Sequence, residues 1–265
     1  MKKNRDFKGF SNDQKEIDTA RKNKLMNTKM KKADKLSSEG RFFEAGIIYR
    51  ELIKNNVTNS AVYTNLSLIC WQNKNEIEAI SLLKKAIDLN PNDYLAYFNL
   101  GIISKEKKDY KNALIYFKKV ILINPSDLIS LNEIGIIYEN LGEVESLIKT
   151  LKSQIKLDSK NVSLRIRLAE QYNINHQYIF AISEYIKVLN LEPNNYLIYI
   201  DLGNTYKNIG DLDNALNSYK KSLEINKKNQ DVLWNMSLTY LLKGDYKSGW
   251  EFFESRWQKT NKTTL

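Results

Sequence analysis

The residue types that carry most protein chemistry are sparse in this sequence. It has one histidine, His176, and one cysteine, Cys70. One histidine cannot supply a His pair to a metal, and one cysteine builds neither a disulfide framework nor a Cys-based metal site. Neither residue has a catalytic partner at a recognisable spacing, and there is no P-loop, GxGxxG or HExxH. Carboxylate pairs occur at Glu76/Glu78 and Glu143/Glu145. Both stand where a helix is expected to begin, and there they favour the positive end of the helix dipole. The expectation is a protein without catalytic residues, metal, cofactor or small-molecule substrate.

The elements that position these residues follow from a repeat. Pro91, Pro125 and Pro193 are separated by 34 and 68 residues, one and two lengths of a single period. Setting each proline at column 32 of a 34-residue unit gives seven units, starting at 26, 60, 94, 128, 162, 196 and 230 and running to 263. Columns that did not define the frame support it. Column 8 is always small: Ala33, Ser67, Gly101, Gly135, Ala169, Gly203, Ser237. Column 20 is small in six units and Leu147 in the other. Column 24 is large and apolar or aromatic: Tyr49, Leu83, Phe117, Leu151, Tyr185, Tyr219, Phe253.

At 100° per residue, columns 4, 7, 8 and 11 share a face of one helix. Columns 17, 20, 24, 27 and 28 share a face of a second. A turn separates them, with glycine at column 15 in four units (Gly40, Gly142, Gly210, Gly244). Glycine there suits the left-handed backbone that ends a helix. Each unit therefore predicts a helical hairpin, closed in three of them by the column-32 proline. One hairpin cannot bury its own apolar face, so neighbours must stack. His176 falls at column 15, as an exposed turn residue, and Cys70 at column 11, in the packed core.

These columns resemble the tetratricopeptide repeat (TPR) family. The clearest unit, YLAYFNLGIISKEKKDYKNALIYFKKVILINPSD at 94–127, carries Tyr97, Leu100, Gly101, Tyr110, Ala113, Phe117 and Pro125 at the family spacings. The resemblance implies an all-α fold, a right-handed α-solenoid of about seven TPR hairpins. It also implies a non-enzymatic scaffold whose concave groove holds an extended peptide or partner protein. The first-helix columns opposite the packed face (2, 5, 6, 9 and 13) would line that groove. Column 6 reads Lys31, Asn65, Asn99, Glu133, Arg167, Asp201, Asn235. Asn65, Asn99 and Asn235 resemble the asparagine ladder of the O-GlcNAc transferase repeat array, in which carboxamides hold a peptide backbone. Plain solvation is the alternative, since the chain has 31 Asn and the ladder is broken by Glu133, Arg167 and Asp201. Asn132, Asn204 and Trp234 would add selectivity. If the ladder acts only in the groove, alanine at 65, 99 and 235 should weaken binding and leave the melting temperature nearly unchanged.

The two ends differ from the repeats. Trp250, Phe253 and Trp257 share one face of the last helix. They either close the core or form a docking face, for another module or for a homo-oligomer. The stretch resembles the last repeat of bacterial TPR proteins that continue into a sugar transferase. An accessory or shortened module of such a glycosyltransferase system is therefore one alternative function. At the other end, residues 1–35 hold twelve Lys/Arg and five Asp/Glu, most of the net charge of +10. Residues 1–25 read as a basic, disordered leader without the apolar run of a secretory signal. Nucleic acid or an anionic membrane surface is the second alternative partner, disfavoured because the rest of the chain is near neutral. With no export signal and no disulfide, the expected compartment is the cytoplasm.

Overall fold

A computed structural model describes the backbone of residues 6–227 and 229–255. Among these residues there are fourteen α-helices and no strand. In chain order they are α1 (Asp6–Ser38), α2 (Phe42–Lys54), α3 (Ser60–Gln72), α4 (Glu76–Leu89), α5 (Tyr94–Glu106), α6 (Tyr110–Ile123) and α7 (Leu128–Leu141). They continue as α8 (Val144–Leu157), α9 (Val162–Ile174), α10 (Tyr178–Leu191), α11 (Tyr196–Asn208), α12 (Leu212–Ile225), α13 (Gln230–Lys243) and α14 (Tyr246–Ser255). From α3 onward every first helix starts at column 1, and in all seven units the second helix starts at column 17.

Local chemistry sets these boundaries. Column 34 is Asn or Asp before every first helix from α3 on, and its side chain accepts from a first-turn amide. The bonds are Asn59 to Ala61 N (3.0 Å), Asp93 to Ala96 N (3.0 Å), Asp127 to Ser130 N (2.8 Å), Asn161 to Leu164 N (3.1 Å), Asn195 to Ile198 N (3.4 Å) and Asn229 to Val232 N (3.2 Å). Such caps satisfy amides that have no intrahelical acceptor. They also account for part of the asparagine excess. Column 15 is left-handed in all seven units. Gly40, Gly142, Gly210 and Gly244 fill it in four, and Lys74, Lys108 and His176 take φ of 59°, 59° and 54° in the others.

The chain divides into two compact units, residues 1–130 and 131–265. In the first, α1 to α6 pack consecutively and α3 also touches α5. Its core joins Ala33, Ala45, Tyr49, Leu66, Ala79 and Leu83 with their neighbours. In the second, α8 to α14 pack consecutively and α11 touches α13. Gly135 of α7 meets Leu147 and Thr150 of α8. In the hairpins of Gly101 and Gly203 the column-8 glycine receives the column-24 ring. A Cβ at Gly101 would stand 2.7 Å from Phe117 Cε1, and one at Gly203 would stand 2.5 Å from Tyr219 Cε1.

Two places depart from the simple pattern. The helix α1 begins at Asp6, so the segment expected to be a disordered leader continues the first repeat helix. Lys, Arg, Glu, Gln and Ala favour helix, and this stretch has one glycine and no proline. Its described side chains Arg21, Lys22, Lys24 and Leu25 are exposed, and packing starts at Met26 and Met30. Column 4 holds Lys29 in this helix, and its ammonium reaches Glu51 at 2.5 Å. The second departure is Arg165, also at column 4. Its guanidinium donates to Glu184 at 2.8 Å and to the Ser159 carbonyl at 2.6 Å, while Lys187 pairs with the other Glu184 oxygen at 2.6 Å. Arg165 and Glu184 side chains are only 14% and 11% exposed.

Candidate functional site

The first helices carry the columns expected to bind. The column-6 side chains from Asn65 to Asn235 are all half-buried. Two of them meet the preceding repeat, Asn65 at column 9 and Arg167 at column 12. Asn65 donates to Asp34 Oδ1 at 3.0 Å and to Tyr49 Oη at 3.3 Å, and Tyr49 donates to the same Asp34 oxygen at 2.6 Å. Arg167 Nη2 donates to Glu139 Oε2 at 3.0 Å. Asn173 donates to Thr205 Oγ1 at 3.0 Å and to Tyr185 Oη at 3.3 Å. Asn204 accepts from the Tyr219 hydroxyl at 2.7 Å.

These bonds engage part of the expected groove internally. Asn65 and Asn204 spend polar groups on internal tyrosines, and Arg167 spends its charge on Glu139. The reason lies in column 24: Tyr49, Tyr185 and Tyr219 are core residues whose hydroxyls need partners at the helix seam. Sequence reasoning treated these tyrosines as packing alone. It missed Asp34, Glu139, Asn173 and Thr205; the tyrosine hydroxyls opposite polar columns 9 and 12 were the available signal. Asn99, Asn132 and Asn235 differ. Their side chains make no hydrogen bond to another described residue, with Asn99 and Asn235 half-buried and Asn132 exposed.

The second unit gathers charge on this face. Burial, then the nearby Glu170 carboxylate, pushes Asp201 up to about 6. Burial also raises Glu170, with Arg167 opposing and Glu139 adding to the effect. Burial and the Asp201 and Glu170 charges lift the Tyr185 phenol above its ordinary value.

At the last hairpin, Trp234 turns toward α14, with its ring 5.5 Å from that of Phe253. Phe253 also meets Trp250 edge-on at 5.4 Å, and Trp250 remains 54% exposed. Trp257 lies outside the described residues. Cys70 is buried, and burial pushes its thiol up, away from the thiolate a nucleophile requires. His176 Nδ1 lies 2.8 Å from the Tyr178 hydroxyl on the surface. Among the described residues no group of three or more His, Cys, Asp or Glu is placed to hold a metal. No described helix is long and apolar enough to cross a membrane.

Comparison with known proteins reads the same pattern. A tetratricopeptide repeat family model matches residues 60–93 and 196–229, two of the 34-residue units, and a second model of the same repeat matches 82–115. The chain carries tetratricopeptide repeats. Anaphase-promoting complex subunit 3 of Dictyostelium discoideum is 33% identical to this TPR protein over 91 residues, 34% of this chain and 9% of that subunit. The chain spans between 9% and 58% of the curated relatives it matches. Among solved structures, Naa15/Naa10 bound to HypK-THB aligns with a TM-score of 0.76 at 11% identity, over 87% of this chain and 36% of that one. YrrB, described as a TPR protein with an unusual peptide-binding site, aligns with a TM-score of 0.53 at 18% identity, over 70% and 95%. These likenesses carry the fold, and a TPR fold serves contact with other proteins.

Proposed function

We propose that this TPR protein is a non-enzymatic scaffold that holds an extended segment of a partner protein along its first-helix faces. The supporting observation is the pair Asn99 and Asn235. Each is a half-buried carboxamide on such a face, with donor and acceptor unspent among the described residues. A carboxamide can pair with a peptide N–H and C=O at once, contributing about 0.5–1.5 kcal/mol per bond. The peptide-binding site named for YrrB and the subunit role named for the Dictyostelium relative agree with this reading.

The test is selection of peptides from a random phage-displayed library on the immobilised full chain. Selected peptides are then measured against N99A, N235A and the double variant. Weaker binding with an unchanged circular dichroism spectrum supports the proposal. Equal binding by all variants overturns the role of these asparagines.

A second reading concerns the last hairpin. Leu242, Tyr246 and Trp250 are large exposed apolar residues there. Such a patch suits docking of another protein module. W250A would then abolish that association without altering peptide binding.

A further inference from the structure

The second unit holds a cavity that the groove reading does not use. It lies between the second helices α10 and α12, is closed by α11, and has a volume of about 300 Å³. Ligand sites run from about 300 to 1,000 Å³, so a small group fits. Ile186 and Leu189 line it from α10, Tyr199 and Tyr206 from α11, and Ser218 and Lys221 from α12. No Asp or Glu lines it, and Lys221 is its one charged lining residue.

The repeat accounts for the space. Column 23 holds Ile48, Leu82, Tyr116, Thr150, Glu184 and Phe252 in the other six units and Ser218 in this one. Serine is the smallest of these side chains, and its hydroxyl is spent on the Asn214 carbonyl at 2.8 Å. The preceding unit shows the same columns with an acid at column 23. There Glu184 accepts from Lys187 (column 26) at 2.6 Å and from Arg165 (column 4) at 2.8 Å, and its side chain is only 11% exposed. One repeat later these columns hold Ser218, Lys221 and Tyr199. The lysine is kept, and the carboxylate that it bound is replaced by a hydroxyl turned to the backbone. The Lys221 ammonium lies 5.8 Å from the centre of the Tyr199 ring and forms no ion pair with a described residue. The Tyr199 and Tyr206 hydroxyls also have no hydrogen-bond partner among the described residues, although both side chains are half-buried.

We infer that this cavity binds a carboxylate carried on an apolar or aromatic body, the carboxylate taking the place that Glu184 fills in the preceding repeat. Lys221 supplies a charge-assisted bond to it, the strong kind. The tyrosine hydroxyls are further donors, and the tyrosine rings with Ile186 and Leu189 cover the body. The site uses neither Asn99 nor Asn235, so it is independent of the groove reading.

The test is an NMR titration of the full chain with hydrocinnamate and with its uncharged amide. Hydrocinnamate is expected to bind saturably, and the amide at least about tenfold more weakly. K221M should weaken hydrocinnamate binding at least about tenfold, while K221R, which can still pair with a carboxylate, should keep most of it. S218E restores an internal carboxylate beside Lys221 and should exclude the ligand. Circular dichroism and thermal melting confirm that each variant is folded, and K221M alone decides if S218E is not. The peptide Gly-Ser-Gly-Ser-Phe, with a free C-terminus and as its amide, separates the sources of the carboxylate. Binding that needs the free C-terminus assigns the end of a protein chain, and binding of hydrocinnamate alone assigns a small free acid. No saturable binding of either acid, equal binding of acid and amide, or binding unmoved by K221M overturns the inference.

Discussion

The Phe117 ring closes directly on the backbone of Gly101, so that a methyl group at Gly101 would stand 2.7 Å from Cε1. Gly203 stands in the same relation to Tyr219, at 2.5 Å. A rigid buried ring cannot give way cheaply. G101A and G203A should each lower stability by about 1–3 kcal/mol in urea denaturation. At Gly135 the nearest atom would be Leu147 Cδ1 at 3.6 Å, an ordinary contact. G135A should therefore be neutral or slightly stabilising, since alanine favours helix over glycine.

Column 15 offers the opposite change. Lys74, Lys108 and His176 hold a left-handed backbone that costs a side-chain-bearing residue free energy. K108G should raise stability by about 0.5–1 kcal/mol. G210A should lower it by a similar amount, although nothing lies within 4 Å of the added methyl. Thermal melts of the two variants check both signs.

Arg165 and Glu184 form a nearly buried ion pair at 2.8 Å. Removing one partner strands the other charge, so E184A should cost about 3 kcal/mol. Replacing both, as R165L/E184L, should cost much less, because five of the other six repeats hold an apolar or aromatic residue at column 4. Chemical denaturation of both variants gives the comparison.

Asp201 gives stability a pH dependence. Its folded pKa of about 6 lies above the ordinary value of 3.8, so the folded state binds the extra proton between these limits. Stability from this group falls as pH rises through that window, and the penalty is complete above it. D201N should be more stable than wild type near pH 7.5, by about 1–2 kcal/mol after allowance for solvent screening. The advantage should vanish below about pH 4. Melting curves at the two pH values decide it.

Asn65 separates structure from binding. Its amide joins Asp34 and Tyr49, so N65A should lower the melting temperature, at about 1 kcal/mol. N99A and N235A should leave it nearly unchanged. Differential scanning fluorimetry of the three single variants tests this against the sequence expectation that all three are thermally silent.

Much of the fold was legible because it recurs. Small residues at column 8 and large ones at column 24 recur in all seven units, with proline at column 32 in three, so the units check one another. The α1 extension was not legible in this way. Charge suggested a solvated coil, while helix propensity continues the first repeat helix upstream of any repeat column. The site was half legible. Column 6 marked the right helix face, but residue type alone could not say which asparagines were already bonded. That depended on Tyr49 and Tyr219 reaching across from the second helix. A tyrosine in a core column reads as packing until the position of its hydroxyl is known.

The placement of caps has a consequence for how such a chain changes over generations. Each first helix from α3 on brings its own Asn or Asp acceptor, and each inter-helix turn its own left-handed residue. Both lie inside one 34-residue module or at its edge. An in-register duplication or deletion of a module therefore leaves every surviving cap and turn chemically complete. Loss or gain of any other length would separate a helix from its acceptor.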